Sequence, residues 1–299
     1  MTTKEKKGFA AALIGGTLWG CSGVAGQFLF DKYGVGAEWL TAVRMLSSGA
    51  LLTGVCLVKT PAAYAGLFRS RRDCLSLLLF AFLGLLFSQL TYLKAIAASN
   101  AATATIMQYV GPVLIVGVVC CRERRAPTLR EAGAAILALG GVYLLATGGD
   151  WRDMTLSRAG LCWGLLAAVA LAFYTLLPTR LMERWGSLPV TGAGLCVGGL
   201  AMGLFARFWQ QMPALDPAGW VALGMTCLLG TACAYSLYLY GVKEAGAMKA
   251  GLLACSEPVS SAVAMALFLK VPMTAADVIG FLMILSTIFL LAKNKEGGA

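Results

Sequence analysis

Apolar stretches of about twenty residues recur along the whole of this 299-residue chain. Each is long enough to cross a hydrocarbon core about 30 Å thick as a helix. No other feature restricts the fold so strongly. Inside lipid a helix satisfies its own backbone N–H and C=O groups, so the expected class is an all-α polytopic membrane protein. Composition agrees, with 59% hydrophobic and only 13% charged residues, where a soluble domain carries about a quarter charged.

Ten spans are expected, at about 8–30, 37–58, 75–96, 101–120, 128–147, 157–179, 188–208, 217–242, 247–268 and 274–292. The breaks carry loop chemistry, as in "DKYGVGAE", "KTPAAYAGLFRSRRD", "CRERRAPTLRE" and "QQMPALDP". The first span follows Lys4, Lys6 and Lys7 as a signal peptide does, but its apolar run to Phe30 exceeds a signal core, so it reads as a retained span. Basic residues set the orientation. With the N-terminus in the cytoplasm, the clusters Lys4, Lys6, Lys7, then Arg69, Arg71, Arg72, then Arg122, Arg124, Arg125, Arg130 all fall inside. The outer segments hold only Lys32, Lys94, Arg152, Arg158, Arg207 and Lys270. Basic residues favour cytoplasmic loops, so the expectation is a plasma-membrane protein with both termini cytoplasmic. The net charge of +10 is spread between spans and does not suggest a nucleic-acid partner.

There is no histidine. This removes His-metal sites, His proton relays and Ser-His or Cys-His catalysis. Of ten cysteines, Cys21, Cys56, Cys162, Cys196, Cys227, Cys233 and Cys255 lie in apolar segments, where they act as small hydrophobes. No metal site, cofactor or disulfide framework is expected. A Walker GxxxxGK[ST] motif is absent from the sequence, so ATP hydrolysis by this chain is not expected.

The chain also repeats itself. "TYLKAIAASNAATATIMQYVGPVL" (91–114) and "LYLYGVKEAGAMKAGLLACSEPVS" (237–260) align without a gap. Tyr92 meets Tyr238, Ala101 meets Ala247, Pro112 meets Pro258 and, further on, Thr128 meets Thr274. The expected units are residues 1–148 and 149–299, five spans each. An odd span count inverts the second copy relative to the first, and inverted repeats around a midplane site are a recurring transporter build.

With these features the sequence resembles the EamA-type transporters of the drug/metabolite transporter superfamily. The resemblance rests on "AASNAATATIMQYVGPVL" with "CRERRAPTLREAG", "EAGAMKAGLLACSEPV" with "KVPMTAADVIG", "TLWGCSG" and the arginine in "VRMLSSGALL". It covers nearly the whole chain. It implies a ten-helix inverted-repeat fold moving small metabolites, often outward and usually coupled to an ion gradient. One departure is Lys270, where the family commonly has an acid before the last loop.

Of the 14 acids only Glu257 falls deep within a span. A carboxyl there can act as a protonation switch or hold a substrate ammonium. Alternatively, in its protonated form it satisfies backbone groups freed at Pro258, which lacks an N–H, or pairs with a polar neighbour on another helix. Its counterpart in the first copy is Gly111. Arg44 is the one basic residue well inside a span; it either snorkels outward or anchors an anionic group. Gln89 and Tyr92 are three residues apart, as are Tyr235 and Tyr238, so each pair shares a helix face. Trp19 and Ser256 complete the candidate set of Glu257, Arg44, Trp19, Gln89, Tyr92, Tyr235, Tyr238 and Ser256. Helix-helix hydrogen bonding and aromatic belts are the plainer reading of the tyrosines. Paired glycines at 194/198 and 199/203 permit close helix packing within the chain or a homodimer through span seven.

The expected activity is a secondary transporter, exporting amino acids or related small metabolites by alternating access, with proton coupling an open option. Its partners are then the bilayer and a small-molecule substrate. The alternatives are a non-transporting sensor or partner subunit, and a membrane-embedded enzyme, for which a lone buried acid without histidine is a poor start.

Overall fold

The computed structural model describes residues 3–150, 156–210, 212–245, 253, 256–270 and 273–292. Among these every regular element is helical. The first helix, α1 (Thr3–Tyr33), turns through Gly34-Val35-Gly36 into α2 (Ala37–Lys59). That three-residue turn depends on Gly34, whose φ of 61° lies in the left-handed region that glycine enters freely. The short α3 (Pro61–Gly66) leads to α4 (Arg71–Leu79). A π-helical run, Phe80–Leu86, joins α4 to α5 (Phe87–Ala98). The next hydrophobic segment is broken into α6 (Ala101–Gln108) and α7 (Gly111–Glu123), with Pro112 in the first turn of α7. There the missing N–H is one that a helix start leaves unpaired anyway. Helix α8 spans Leu129–Thr147.

The second half follows the same plan. It holds α9 (Arg158–Leu176), α10 (Thr179–Trp185), α11 (Ser187–Ala206), α12 (Pro217–Gly224), a π-helical run Met225–Cys233 and α13 (Ala234–Ala245). Helix α14 (Ser256–Ala264) continues into a short π-helical run, Met265–Leu269, and α15 spans Ala275–Ala292. The expected start of the ninth span, at about 247–255, lies outside the described residues apart from Leu253.

Among the described residues five helical runs are long and apolar enough to cross a membrane: Lys6–Tyr33, Ala37–Lys59, Arg71–Ala98, Ser187–Ala206 and Pro217–Tyr238. Arg158–Tyr174, Ser256–Leu269 and Ala275–Thr287 are shorter apolar helices. Large apolar side chains such as Val58, Leu139, Phe205 and Phe268 point outward, as a lipid-facing surface requires. The chain is a multi-pass membrane protein.

Helix ends are defined by local hydrogen bonding. Thr128 and Glu131 form a reciprocal capping box at the start of α8, and Thr274 and Asp277 exchange the same bonds ahead of α15. Ser157 caps α9 and Asp216 caps α12. The principal packing pairs join the halves. Helix α2 crosses α11, α8 crosses α15, α1 lies against α13 and α14, and α9 lies against α5, α6 and α7. The glycines of α11 are used within the chain: Gly199 lies against Met45 and Leu46 of α2, and Gly198 against Met45 and the Ala81 carbonyl. The outward face of α11 is Leu200, Leu204 and Phe205.

Candidate substrate cavity

A small cavity of about 90 Å³ lies between the halves, lined by Trp19, Arg44, Ser88, Gln89, Tyr92, Gln108, Leu171, Tyr174, Tyr235 and Glu257. Each wall follows from the packing around it. Helix α1 reaches α14 so closely that a Cβ on Gly20 would fall 2.3 Å from the Glu257 carbonyl oxygen. Any larger residue there pushes the helices apart, and with them Trp19, the preceding residue. The Trp19 ring packs on Tyr235 and Tyr238 at centroid separations of 5.2 and 5.1 Å, and Tyr174 packs edge-on to Tyr235 at 6.2 Å. Such edge and tilted contacts suit the ring quadrupoles and hold the aromatic wall together.

Arg44 projects from α2 and is only 4% exposed. Its Nε donates to Thr231 Oγ1 at 2.6 Å and one terminal nitrogen, Nη2, donates to the Gly230 carbonyl at 3.4 Å. Ser48, one turn on, donates to the Cys227 carbonyl at 2.6 Å. The wide turns of the Met225–Cys233 run thus present carbonyls sideways, and α2 supplies donors for them. Among the described residues the remaining nitrogen, Nη1, is buried without a hydrogen-bond partner. The outward snorkel weighed for Arg44 from sequence is therefore corrected: Thr231 and the Gly230 carbonyl hold the guanidinium inward.

Glu257 accepts a hydrogen bond from Tyr109 at 3.2 Å. That bond crosses to the break between α6 and α7, so the carboxylate is tied to another helix. Among the described residues Arg44 and Glu257 line one cavity without closing into an ion pair. Gln89 donates to Tyr235 at 3.4 Å, joining two residues that fall at the same position in the sequence alignment of the halves. The Tyr92 hydroxyl is 2.8 Å from Thr105 Oγ1, and its oxygen would lie 2.6 Å from a Cβ on Gly23.

Six of the eight sequence candidates line the cavity. Tyr238 stands behind it, against Trp19. Ser256 does not reach it; its hydroxyl donates to the Leu13 carbonyl. Adjacency to Glu257 suggested Ser256, but consecutive helical residues point about 100° apart. Gln108 and Tyr174, polar residues of the apolar segments, belong to the wall, as do Ser88 and Leu171, which carry no sequence signal. A second cavity, about 320 Å³, lies on the other side of α1, lined by Cys21, Val24, Phe28, Val221, Met225 and Phe268 among others. It offers few groups to orient a polar solute. Among the described residues no group of three or more His, Cys, Asp or Glu is arranged to hold a metal ion.

These features define a class: a helical multi-pass membrane protein with a polar, aromatic-walled cavity between its halves. The EamA-like transporter family matches residues 6–147 and 158–293. The chain belongs to that family, and so to the drug/metabolite transporter superfamily. It is 36% identical over 291 residues, 97% of each chain, to a Salmonella typhimurium protein described as the uncharacterised inner membrane transporter YicL. It is 24% identical to the uncharacterised transporter YcbK of Bacillus subtilis, covering 58% of this chain and 57% of that one. The WAT1-related protein At3g02690 of Arabidopsis thaliana, chloroplastic, is 21% identical over 86% of this chain and 63% of its own. A solved crystal structure aligns over 98% of this chain and 99% of its own, with a TM-score of 0.65 at 18% identity, which is a likeness of fold.

Proposed function

We propose that this membrane transporter is a secondary carrier that moves a small zwitterionic metabolite, of the amino-acid class, through the Trp19–Arg44–Glu257 cavity by alternating access. The observation that carries the reading is a free guanidinium nitrogen and a carboxylate facing one cavity while remaining unpaired with each other. Arg44 Nη1 suits a substrate carboxylate, Glu257 suits an ammonium, and the Trp19 and Tyr235 rings suit the carbon skeleton. Glu257 is also the acid to which any proton coupling is assigned.

The packing supports ten helical segments built as two inverted repeats. Under the correspondence α1 with α9, α2 with α11, α5 with α13, α6–α7 with α14 and α8 with α15, each principal contact maps onto another or onto itself. The π-helical runs Phe80–Leu86 and Met225–Cys233 fall at matching positions.

The test is ligand-induced thermal stabilisation of purified wild type, Glu257→Gln and Arg44→Gln, against amino acids, amines and carboxylates. A ligand that binds the folded state raises apparent stability. Amino acids are expected to stabilise wild type, and each variant to lose that shift. Uptake into proteoliposomes then reads movement. If no zwitterion shifts the wild type, or if both variants respond as wild type does, the assignment of the cavity fails.

A further inference from the structure

Two opposite ends of the fold are fastened by contacts of the same design. At one end Lys32 and Tyr33, the last residues of α1, hold Asp216 at the start of α12. Lys32 Nζ lies 2.9 Å from one carboxylate oxygen, and the Tyr33 hydroxyl donates to the other. At the opposite end Arg184 and Trp185, the last residues of α10, hold Asp73 in the first turn of α4. Arg184 Nη1 and Trp185 Nε1 each donate to Asp73 at 3.1 Å. That these are opposite ends follows from α2, which starts beside Tyr33 and runs the length of the fold before α3 and α4 begin.

The correspondence extends to detail. Each fastening is a cation followed directly by an aromatic residue, and each cation lies over its own neighbour's ring, at 4.9 Å for Lys32 and 5.0 Å for Arg184. Each ring also rests on a glycine: a Cβ on Gly219 would lie 3.0 Å from Tyr33, and a Cβ on Gly66 would overlap Trp185. Each contact joins one half of the chain to the other. Each acid begins a helical run that passes through a π-helical segment to a cavity face, Gln89 and Tyr92 in one case, Tyr235 in the other.

We propose that Asp73 and Asp216 are paired gate residues, each latching one end of the transport cavity shut. This rests on the alternating-access reading above. With both latches closed the cavity is about 90 Å³, well short of the roughly 300 Å³ at which small-molecule pockets begin. Loading or release requires one latch to part while the other stays closed. Partly exposed ion pairs contribute little net stability, which fits contacts that break once per turnover.

The test reads shape rather than transport. Ser88 lines the cavity, and Ser88→Cys is a small change that carries a thiol reporter. A membrane-impermeant thiol reagent is added to sealed vesicles of each orientation, and peptide mass spectrometry reads the label at position 88. Asp216→Asn is expected to raise labelling several-fold from the Asp216 face and lower it from the other; Asp73→Asn does the reverse. Lys32→Gln and Arg184→Gln, changes at the partly exposed cations, repeat the test should an Asp variant fold poorly. Combining Lys32→Asp with Asp216→Lys is expected to restore the wild-type sidedness. Unchanged sidedness in folded variants, or a shift to the same face in both, overturns the latches. Failure of alternating access itself looks different: the reagent then reaches position 88 of the otherwise unaltered protein equally from both faces.

Discussion

The crossing of α2 and α11 offers a prediction in which one substitution has opposite effects at two sites on one helix. Gly49 faces α11, and a Cβ built there lies 2.6 Å from the Cys196 amide nitrogen and 3.0 Å from the Leu195 carbonyl carbon. Both are backbone atoms, so no rotamer change relieves the contact and the helices must separate. Gly54, little more than one turn on, is exposed and a Cβ there meets nothing within 4 Å. Alanine at either site removes glycine's excess freedom in the unfolded chain, a gain of about 0.4–1 kcal/mol. At Gly54 that gain stands alone. At Gly49 overpacking costs about 1–3 kcal/mol. Because the gain is common to both, the two variants should differ by about 1–3 kcal/mol, roughly a 5- to 140-fold ratio of unfolding constants. Unfolding titrations in mixed micelles, monitored by tryptophan fluorescence, measure this directly. Gly54→Ala should match or exceed wild type and Gly49→Ala should fall below it. Equal midpoints for the two would refute the close crossing.

Three further outcomes are expected. Arg44→Lys keeps the charge but loses the forked contact with Thr231 and Gly230, and should cost about 1–3 kcal/mol, read as a lower thermal midpoint. Thr128→Ala and Thr274→Ala remove equivalent caps and should each cost about 1 kcal/mol; one costly and one silent change would break the equivalence of the two boxes. The Tyr33 hydroxyl, Lys32 and the Gly219 amide hold the Asp216 carboxyl below the usual carboxylate range. A depressed value means the contact is fully formed above the ordinary aspartate value of about 3.9 and is lost as pH falls through the lower one. The thiolate fraction falls with pH for either face alike, so the ratio of labelling from the Asp216 face to that from the other should stay flat from neutral pH to about pH 5 and rise only in stronger acid.

Hydropathy made the helices legible because bilayer thickness imposes their length. The span expected at 37–58 is Ala37–Lys59, and that expected at 128–147 is Leu129–Thr147. The loop threonines aligned in the repeat prove to be the two capping residues. Arg44, Gln89 and Glu257 stood out because lipid penalises such side chains, which leaves protein or a cavity as their surroundings. The direction each one takes was not legible. Arg44 turns toward Thr231 and the Gly230 carbonyl, 187 and 186 residues away in a run of π turns, and neither "FAFLGLL" nor "MTCLLGTAC" differs in composition from its neighbours. Tyr109 carries no mark that it would reach Glu257, because that contact depends on the break between α6 and α7.

The bond between Gln89 and Tyr235 has an evolutionary corollary. Under the inverted-repeat architecture proposed above, these would be one ancestral position meeting itself across a pseudo-twofold axis. In a dimer of identical short chains both would have to be the same residue, and a substitution suited to one side would be imposed on the other. Fusion into a single polypeptide lifts that constraint. An amide can then face a phenol, and a glutamate at 257 can face the cavity while its counterpart, Gly111, is free to pack against Leu171 and the Ala168 carbonyl. Polarity across the cavity, with a cation on one wall and an anion on the other, is open to a fused chain and closed to a symmetric dimer of short chains.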